Sequence, residues 1–327
     1  MGEPVKSIDV EAARDAIGRI AVETPIISSP VLDERTGGHV WLKLESLQVT
    51  GSFKVRGAAN KILSLTKAER ERGVVTCSSG NHGRAVAYVA DILDIPAVVC
   101  VPEWVDPTKL AAIRRHRAET VLHGKTYDEA EARSFELQRE RGLVYVHPFD
   151  EPHVIAGQGT IGLELLEQLP LLDTAVVPLS GGGLIAGIAL ALKRTEPEYR
   201  VIGVSAANAA VMYESLEAGK PIACPEEETI ASALSGGIGL DNQYTFELVR
   251  DLVDDYVLVS EDEIREAMAF AATEHKLVVE GGGAVGIAAL LSREVEVKGE
   301  NVAVVVSGGN IEASVLAEII AGTSAAD

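Results

Sequence analysis

The hydrophobic positions along the chain change their spacing in a regular way. Short runs of aliphatic residues at 74–77, 97–101, 174–178 and 302–306 are typical of strands that are buried on both faces. Longer segments between them space their apolar residues three and four positions apart, which predicts helices. This alternation indicates an α/β fold with mostly parallel sheets and right-handed crossovers.

The same patterns predict where individual helices lie. Apolar spacing predicts a first helix at 8–22, and helices at 57–65, 84–93, 160–168 and 185–193. Thr66 with Glu69, and Ser260 with Glu263, form capping boxes that predict two further helix starts. The segment 147–159, rich in Pro, Gly and polar residues, predicts a passage between domains. We therefore expect a small domain at 47–148 and a large domain made of 1–46 plus 149–327.

Polar, glycine-containing turns follow several predicted strands. They are Ser-Ser-Gly-Asn-His-Gly at 78–83, Ser-Gly-Gly-Gly-Leu at 180–184 and Ser-Gly-Gly-Asn at 307–310. Backbone amides at a helix N-terminus bind anions, and glycines let the anion come close. The spacing at 180–184 matches neither the phosphate loop of nucleoside triphosphatases nor a dinucleotide fingerprint. It favours a single phosphate over the alternative, a tight packing turn.

Lys54 lies beside Phe53 and between Gly51 and Gly57. A lysine forms a Schiff base with an aldehyde only when its amine is partly deprotonated, and desolvation by close backbone and an aromatic ring lowers its pKa. The alternative is that Lys54 and Arg56 are ordinary solvated cations at the end of a strand.

Composition and charge narrow the classes of function. The 327 residues are 47% hydrophobic and carry 49 acidic against 29 basic residues, a net charge of −20 that argues against a nucleic-acid partner. No run suits a membrane span or a targeting segment, so we expect a cytoplasmic protein. The scattered Cys77, Cys100 and Cys224 indicate reduced thiols.

The stretch around Lys54 and the three glycine turns occur together in the order and spacing of the fold type II (β-family) pyridoxal-phosphate enzymes. The chain resembles this family over nearly its whole length, and within it the threonine/serine dehydratase and serine racemase branch. The stretches 154–160, 235–241 and 278–286 also resemble hydroxyectoine-utilisation dehydratases. The resemblance implies a two-domain, tryptophan synthase β-like fold with twisted, mostly parallel sheets flanked by helices. It also implies a pyridoxal 5′-phosphate cofactor, an amino-acid substrate and a homodimer.

The resemblance further implies a role for each motif around the cofactor. Lys54 would hold it through a Schiff base and, once displaced by substrate, remove the Cα proton. Phe53 would pack on the ring, Asn81 would bond its 3′-oxygen, and Ser307 would face its nitrogen. Glu280 would lie nearby, although a carboxylate at a helix N-terminus is explained almost as well by the helix dipole. The phosphate would be held by the backbone amides of Ser180, Gly181, Gly182, Gly183 and Leu184.

The turn at 78–83 matches the place where the family binds the substrate carboxylate. The residues implied in this are Ser78, Ser79, Gly80, Asn81 and His82. Ser79 also matches the serine that protonates the opposite face of Cα in racemases of the branch. Ser79 is thus a second catalytic candidate beside Lys54, and racemisation stays open.

Ser307 bears on the type of reaction. A neutral hydroxyl does not hold the ring nitrogen protonated as a carboxylate would, so the ring is a weaker electron sink. That favours α,β-elimination of water from a β-hydroxy amino acid, which yields a 2-oxo acid and ammonia. Candidate substrates are threonine, serine, 3-hydroxyaspartate, phenylserine and a hydroxyectoine derivative.

A divalent metal ion is not expected. The cation-dependent members carry a glutamate where this chain has Ser205, an aspartate where it has Val211, and a backbone carbonyl at the position of Ala209. Without the two carboxylates the position lacks the anionic oxygen ligands that magnesium or calcium requires.

Two other functions stay open. One is β-replacement, as in cysteine synthase, whose carboxylate-binding loop is built differently from Ser-Ser-Gly-Asn-His. The other is a ligand sensor that kept the fold but lost turnover, which the presence of Lys54 and Ser307 disfavours.

Overall fold

The computed structural model describes residues 8–225 and 227–323, and these residues form two β-sheets. The six-stranded sheet has the order β1 (Ile26–Ser28), β2 (His39–Leu44), β10 (Asn301–Val306), β7 (Thr174–Pro178), β8 (Arg200–Ala206), β9 (Asp255–Val259). The four-stranded sheet has the order β5 (Glu119–Leu122), β4 (Ala97–Val101), β3 (Val74–Cys77), β6 (Val144–Tyr145). Every strand pair except β1–β2 is parallel. The predicted α/β fold with mostly parallel sheets is confirmed.

Helices flank both sheets. In chain order they are α1 (Val10–Ile17), α2 (Pro30–Thr36), α3 (Lys54–Leu63), α4 (Lys67–Arg72), α5 (Asn81–Ile92), α6 (Pro107–Arg114), α7 (Tyr127–Arg141), α8 (Pro152–Gln168), α9 (Gly183–Thr195), α10 (Val211–Glu217), α11 (Thr245–Leu252), α12 (Glu261–Glu274), α13 (Gly281–Leu291) and α14 (Ala313–Thr323). The capping boxes predicted at Thr66 and Ser260 start α4 and α12.

The six-stranded sheet separates two hydrophobic cores. In β10, Ala303 and Val305 face the core shared with α1, α8 and α9. Val302, Val304 and Val306 alternate with them and face the core shared with α12 and α13. Because side chains alternate between the faces of a strand, a strand buried on both faces is apolar at every position. This explains the uninterrupted run at 302–306.

The smaller sheet is built wholly from residues 74–145, within the range 47–148 predicted for a small domain. Helix α3, from the same range, packs closely on α8: a Cβ on Gly157 would collide with the backbone of Arg56 and Gly57. The exact domain boundaries remain a prediction, and residues 1–7 and 324–327 of the large-domain range lie outside the described residues.

Helices next to the glycine turns begin earlier than their patterns predict. The helices expected at 57, 84 and 185 begin at Lys54, Asn81 and Gly183. The polar residues and glycines that suggest a turn instead form the first helical turn, where the amides have no intrahelical acceptor. The motif side chains of Lys54 and Asn81 are therefore held by helices rather than by loops.

Two other helix boundaries were wrong. The first helix ends at Ile17 rather than at 22, with Gly18 as its C-cap. The helix expected at 160 begins at Pro152, where Glu151 accepts a bond from the Val154 amide and Pro occupies the first turn. Proline suits that position because its missing N–H has no helical partner there. The connection predicted at 147–159 therefore ends at Glu151.

Candidate active site

Lys54 is the first residue of α3. Its Nζ donates to the carbonyl oxygen of Pro148 at 2.7 Å and lies 5.2 Å from the centroid of the Phe53 ring. Burial lowers the pKa of Lys54 to about 8. A useful fraction of this amine is therefore neutral near neutral pH, as attack on an aldehyde requires.

The turn at 307–310 holds the Lys54 turn in place. Ser52 and Gly308 form an isolated antiparallel bridge, and the Phe53 amide donates to the Ser307 carbonyl at 3.1 Å. The Ser307 side chain is buried, and its Oγ donates to the Gly282 carbonyl at 3.3 Å. Ser307 and Lys54, 253 positions apart in the numbering, thus become neighbours.

The turn at 180–184 packs against Phe149, which is the neighbour of the Pro148 that binds Lys54. Gly182 has the left-handed φ of 83° and precedes α9, and no side chain caps this helix. A Cβ on Gly181 or Gly183 would collide with Phe149, the residue after Pro148. Ser180 Oγ donates to the Leu234 carbonyl at 2.7 Å, and Leu184 is buried in the core. What this turn offers a ligand is therefore its backbone amides, while its side chains hold the turn to the protein.

The helix N-termini near Lys54 have no side-chain cap. Seven helices elsewhere have N-cap side chains that accept a bond from the first turn: Asp9, Ser29, Thr66, Asp106, Thr126, Glu151 and Ser260. Helices α3, α5, α9 and α13 have no such bond. The N-cap residues of α10 and α11 make none either, although Asp150 accepts from the Thr245 amide at the start of α11. Four helix ends with amides available to an external acceptor favour anionic ligands.

The turn at 78–83 leads into α5. Ser78 Oγ accepts from the Gly80 amide at 3.2 Å, and Ser79 is partly accessible. His82 is buried and its Nε2 bonds to the Val146 carbonyl at 2.9 Å, while its Nδ1 is buried with no partner. Burial and repulsion by Lys54 lower the pKa of His82 to about 3, so its ring is neutral. An anion at this turn would meet the His82 amide rather than a cationic ring.

Asn81 connects this turn to Glu280, the N-cap residue of α13. Asn81 Nδ2 donates to Glu280 Oε1 at 2.6 Å. Burial raises the pKa of Glu280 to about 7, although the bond from Asn81 opposes the shift. A Cβ on Gly308 would collide with this carboxyl group. Asn81, Glu280 and the Ser307 turn are thus in direct contact.

A buried ion cluster beneath α3 was not predicted from the sequence. Arg56 donates to both oxygens of Glu45 at 2.9 and 2.8 Å, and its Nη1 donates to Glu164 Oε1 at 2.5 Å. Lys43 Nζ donates to Glu164 Oε2 at 2.5 Å. Burial alone would raise the pKa of Glu45, but the Arg56 guanidinium holds it below its ordinary value. The interpretation of Arg56 as a solvated cation is wrong: Arg56 ties the Lys54 helix to Glu45, which directly follows β2, and to α8.

The position where relatives are expected to hold a cation has a different chemistry here. Ser205 Oγ donates to the Leu179 carbonyl at 2.7 Å, and Val211 is the first residue of α10. Within residues 8–225 and 227–323, no group of three or more His, Cys, Asp or Glu side chains could hold a metal ion. Among the same described residues, no helix is both long enough and apolar enough to cross a bilayer.

The residues present fit pyridoxal phosphate. The amides at the start of α9 suit its phosphate, the Lys54 amine suits its aldehyde, and Phe53 offers a ring face beside that amine. The Ser307 hydroxyl and the Asn81 side-chain amide are polar groups, on the segments next to Lys54, that suit the ring nitrogen and the ring oxygen of the cofactor.

Comparisons with known proteins agree with this fit. The family model described as "Pyridoxal-phosphate dependent enzyme" matches residues 18–308. The chain is 44% identical over 312 residues to an L-threonine ammonia-lyase of Thermotoga maritima, covering 95% of this chain and 77% of that protein. It is 42% identical to the catabolic L-threonine dehydratase TdcB of Escherichia coli K12, covering 95% and 94%. The structure of maize serine racemase superposes with a TM-score of 0.91 at 36% identity, covering 98% of each chain. The chain belongs to the pyridoxal-phosphate-dependent enzymes.

Proposed function

We propose that this protein is a pyridoxal-phosphate-dependent ammonia-lyase that eliminates water from a β-hydroxy amino acid, with L-threonine as the first candidate substrate and L-serine as the second. The observation that carries the proposal is the Lys54 amine, whose pKa is lowered to about 8 where uncapped helix N-termini meet. The threonine-lyase relatives support the choice of substrate. The products are a 2-oxo acid and ammonia.

Several residues of the chain bind and orient the cofactor in this proposal. The amides of residues 180–184 hold the phosphate, and Phe53 packs on the ring. Asn81 bonds the 3′-oxygen, Ser307 faces the ring nitrogen, and Glu280 orients Asn81 from behind. When bound, pyridoxal phosphate supplies the electron sink that makes the Cα–H bond acidic. A neutral Ser307 limits that sink, which suits elimination better than transamination.

Lys54 moves the proton. Its Nζ, held by the Pro148 carbonyl, takes the proton from Cα once the amine is free and neutral. The electron pair of the broken Cα–H bond forms the Cα=Cβ double bond, and the hydroxyl group leaves Cβ with the electron pair of its own C–O bond. Together with the proton taken from Cα it makes up the water that is lost. The amides at the start of α5 and the hydroxyls of Ser78 and Ser79 hold the substrate carboxylate, since that helix end has no side-chain cap.

Racemisation is a second candidate function. It is favoured by one observation, the partly accessible Ser79 at the start of α5, which could return a proton to Cα from the opposite face. The similarity to maize serine racemase agrees with it.

We expect the enzyme to work as a cytoplasmic homodimer on a free amino acid. The cysteines are free, with Cys77 and Cys100 buried, as suits a reducing compartment. Leu47 and Val278 are large apolar side chains with 54% and 53% exposure, on segments that meet at Gly309. An exposed apolar area of this kind supports self-association.

The test is release of ammonia and 2-oxo acid from a panel of β-hydroxy amino acids, with EDTA present throughout. The panel contains L-threonine, L-serine, 3-hydroxyaspartate and phenylserine. We expect turnover of threonine that is lost in Lys54→Ala and kept in Lys61→Ala, a matched change on the same helix where the amine only pairs with Glu151.

Other outcomes identify the alternatives. Inversion at Cα without ammonia would indicate a racemase. Condensation with an added thiol would indicate β-replacement. Ligand binding to cofactor-loaded protein without any turnover would indicate a sensor.

A further inference from the structure

A hydrogen-bond chain of four side chains lies beside Lys54, and the roles above use only two of its members. Arg84 Nη1 donates to Asn310 Oδ1 at 2.5 Å, and Asn310 Nδ2 donates to Asn81 Oδ1 at 2.7 Å. Asn81 Nδ2 in turn donates to Glu280 Oε1 at 2.6 Å. Arg84 and Asn81 lie on α5, whereas Asn310 follows β10 and Glu280 precedes α13. The chain therefore links the parts of the protein built around the two sheets.

The partners of Asn310 leave only one orientation for its amide group. Its Nδ2 also donates to the Thr50 carbonyl at 2.9 Å, and a carbonyl can only accept. Arg84 can only donate, so it must meet the oxygen of Asn310. Both N–H groups of Asn310 are thereby used, one on Thr50 and one on Asn81.

This arrangement determines the orientation of Asn81. Its Oδ1 must face Asn310, so its NH₂ group faces the opposite way. One N–H reaches Glu280, and the other remains for a further acceptor. Without Asn310, only the bond to Glu280 would orient the Asn81 amide, so rotation that exchanges donor for acceptor would become easier. An acceptor cannot stabilise an ionised ring oxygen.

The backbone makes room for this contact. Gly51 has a left-handed φ of 76°, and any Cβ there would collide with the side chain of Asn310. The Gly309 amide donates to the Gly51 carbonyl at 2.9 Å, which holds Asn310 against the Lys54 turn.

We propose that Asn310, held by Arg84, is a positioning residue that keeps an N–H of Asn81 directed at the 3′-oxygen of the cofactor. The inference rests on the role that the proposed function gives Asn81. Asn310 acts only through Asn81, and Arg84 acts only through Asn310.

The test compares the absorption spectra of cofactor-loaded wild type and Asn310→Asp at neutral pH. The two absorption bands of the bound cofactor report whether its ring oxygen is ionised or neutral. Aspartate keeps a partner for Arg84 but has no N–H for Asn81, so Asn81 keeps only its bond to Glu280 and its orientation is held less firmly. We expect the ionised-to-neutral band ratio to fall about threefold or more, and the cofactor dissociation constant to rise by about the same factor. Asn208→Asp is the matched control: this exposed amide donates to the Glu228 carbonyl, and its band ratio should equal that of wild type.

A second pair of variants covers the case in which Asn310→Asp does not fold. Arg84→Lys keeps a donor for Asn310 Oδ1 and should keep the wild-type band ratio, whereas Arg84→Leu should lower it about threefold. Equal band ratios in wild type, in Arg84→Leu and in any folded Asn310→Asp would overturn the proposal. Failure of the proposed function would be visible separately, as wild type that binds cofactor but releases no 2-oxo acid.

Discussion

The lowered pKa of Lys54 has one main physical cause. Its pKa is lowered by desolvation, and its ammonium donates to a carbonyl rather than to a carboxylate that would hold the proton. The lysine stretch could be recognised in the sequence because glycines and an aromatic residue surround it. The carbonyl of Pro148, which fixes the amine, could not be, because it lies 94 positions away in the chain.

The lowered pKa predicts how cofactor-free enzyme takes up pyridoxal phosphate. Attachment of the cofactor needs the neutral amine of Lys54, whose fraction grows about tenfold per pH unit below the pKa. The rate of attachment should therefore rise about tenfold per pH unit below pH 8 and level off above pH 8. A lysine with an ordinary pKa would show a rate that keeps rising to about pH 10.4. Stopped-flow absorbance across a pH series measures this rate. A rise that continues well beyond pH 9 would contradict the assigned environment of Lys54.

Gly182 precedes α9 in the turn that we propose holds the cofactor phosphate. Gly182→Ala would force a Cβ onto a residue at φ 83° and within 2.9 Å of Met212 Cε, which would move the amides at the start of α9. We expect cofactor affinity to fall about tenfold, which corresponds to about 1.4 kcal/mol. Equilibrium fluorescence titration measures it.

Gly219→Ala is the control for this change. Gly219 has a φ of 68° and no atom within 4 Å of an added Cβ, so the backbone strain is similar while the site is untouched. Its cofactor affinity should match that of wild type. Equal losses of affinity in the two variants would show that strain alone, and not the phosphate turn, causes the effect.

At the scale of elements, the predictions failed where contacts are long-range. Strand positions and the order of the glycine turns follow from local pattern, so they could be predicted. The starts of α3, α5 and α9 could not, because no N-cap side chain bonds their first amides and the capping signal is therefore missing from the sequence. The ion cluster was missed because Arg56 and Glu164 are 108 positions apart.

Sequence did hold one signal of that cluster. Lys43 interrupts the otherwise apolar end of β2, and Glu164 interrupts the apolar face of α8; both side chains are nearly or fully buried. A charged residue at a core position indicates a buried partner, because an unpaired buried charge is costly. The pattern indicates that partners exist without identifying them.

The cluster should contribute strongly to stability. Arg56→Met leaves Glu45 and Glu164 buried with only Lys43 as a cation, and we expect a loss of about 3–5 kcal/mol in the free energy of unfolding. Lys61→Met, on the same helix, removes a single, partly exposed ion pair with Glu151 and should cost about 1 kcal/mol. Urea unfolding of cofactor-free protein measures both. A cost for Arg56→Met as small as for Lys61→Met would contradict the account of α3.

In the whole molecule, elements that flank the two sheets come together around Lys54. No pattern in the sequence indicates how the two sheets are placed relative to each other. The Asn81 to Glu280 and Lys54 to Pro148 bonds join segments that are far apart in the chain. The motifs could be ordered along the sequence, and their resemblance to a family implied the common site. The spacing of residues along the sequence does not by itself place these motifs in one site.

The exposed apolar side chains predict a homodimer. Val278→Glu puts a charge on the segment that contacts Ser46 and Gly309. It should lower the association constant of the dimer by about tenfold or more. Sedimentation velocity over a concentration series measures the change, with the remote Leu171→Glu, at 77% exposure, as control. A wild-type chain that stays monomeric at high concentration would contradict this prediction.

We propose that Lys54 is the residue that carries the cofactor, and one experiment tests this directly. Borohydride reduction of cofactor-loaded enzyme fixes pyridoxal phosphate to its lysine, and peptide mass spectrometry identifies that lysine. We expect a modified peptide that contains Lys54, and no such modification in Lys54→Ala. A cofactor found on Lys43, Lys61 or another lysine of the wild-type chain would contradict it.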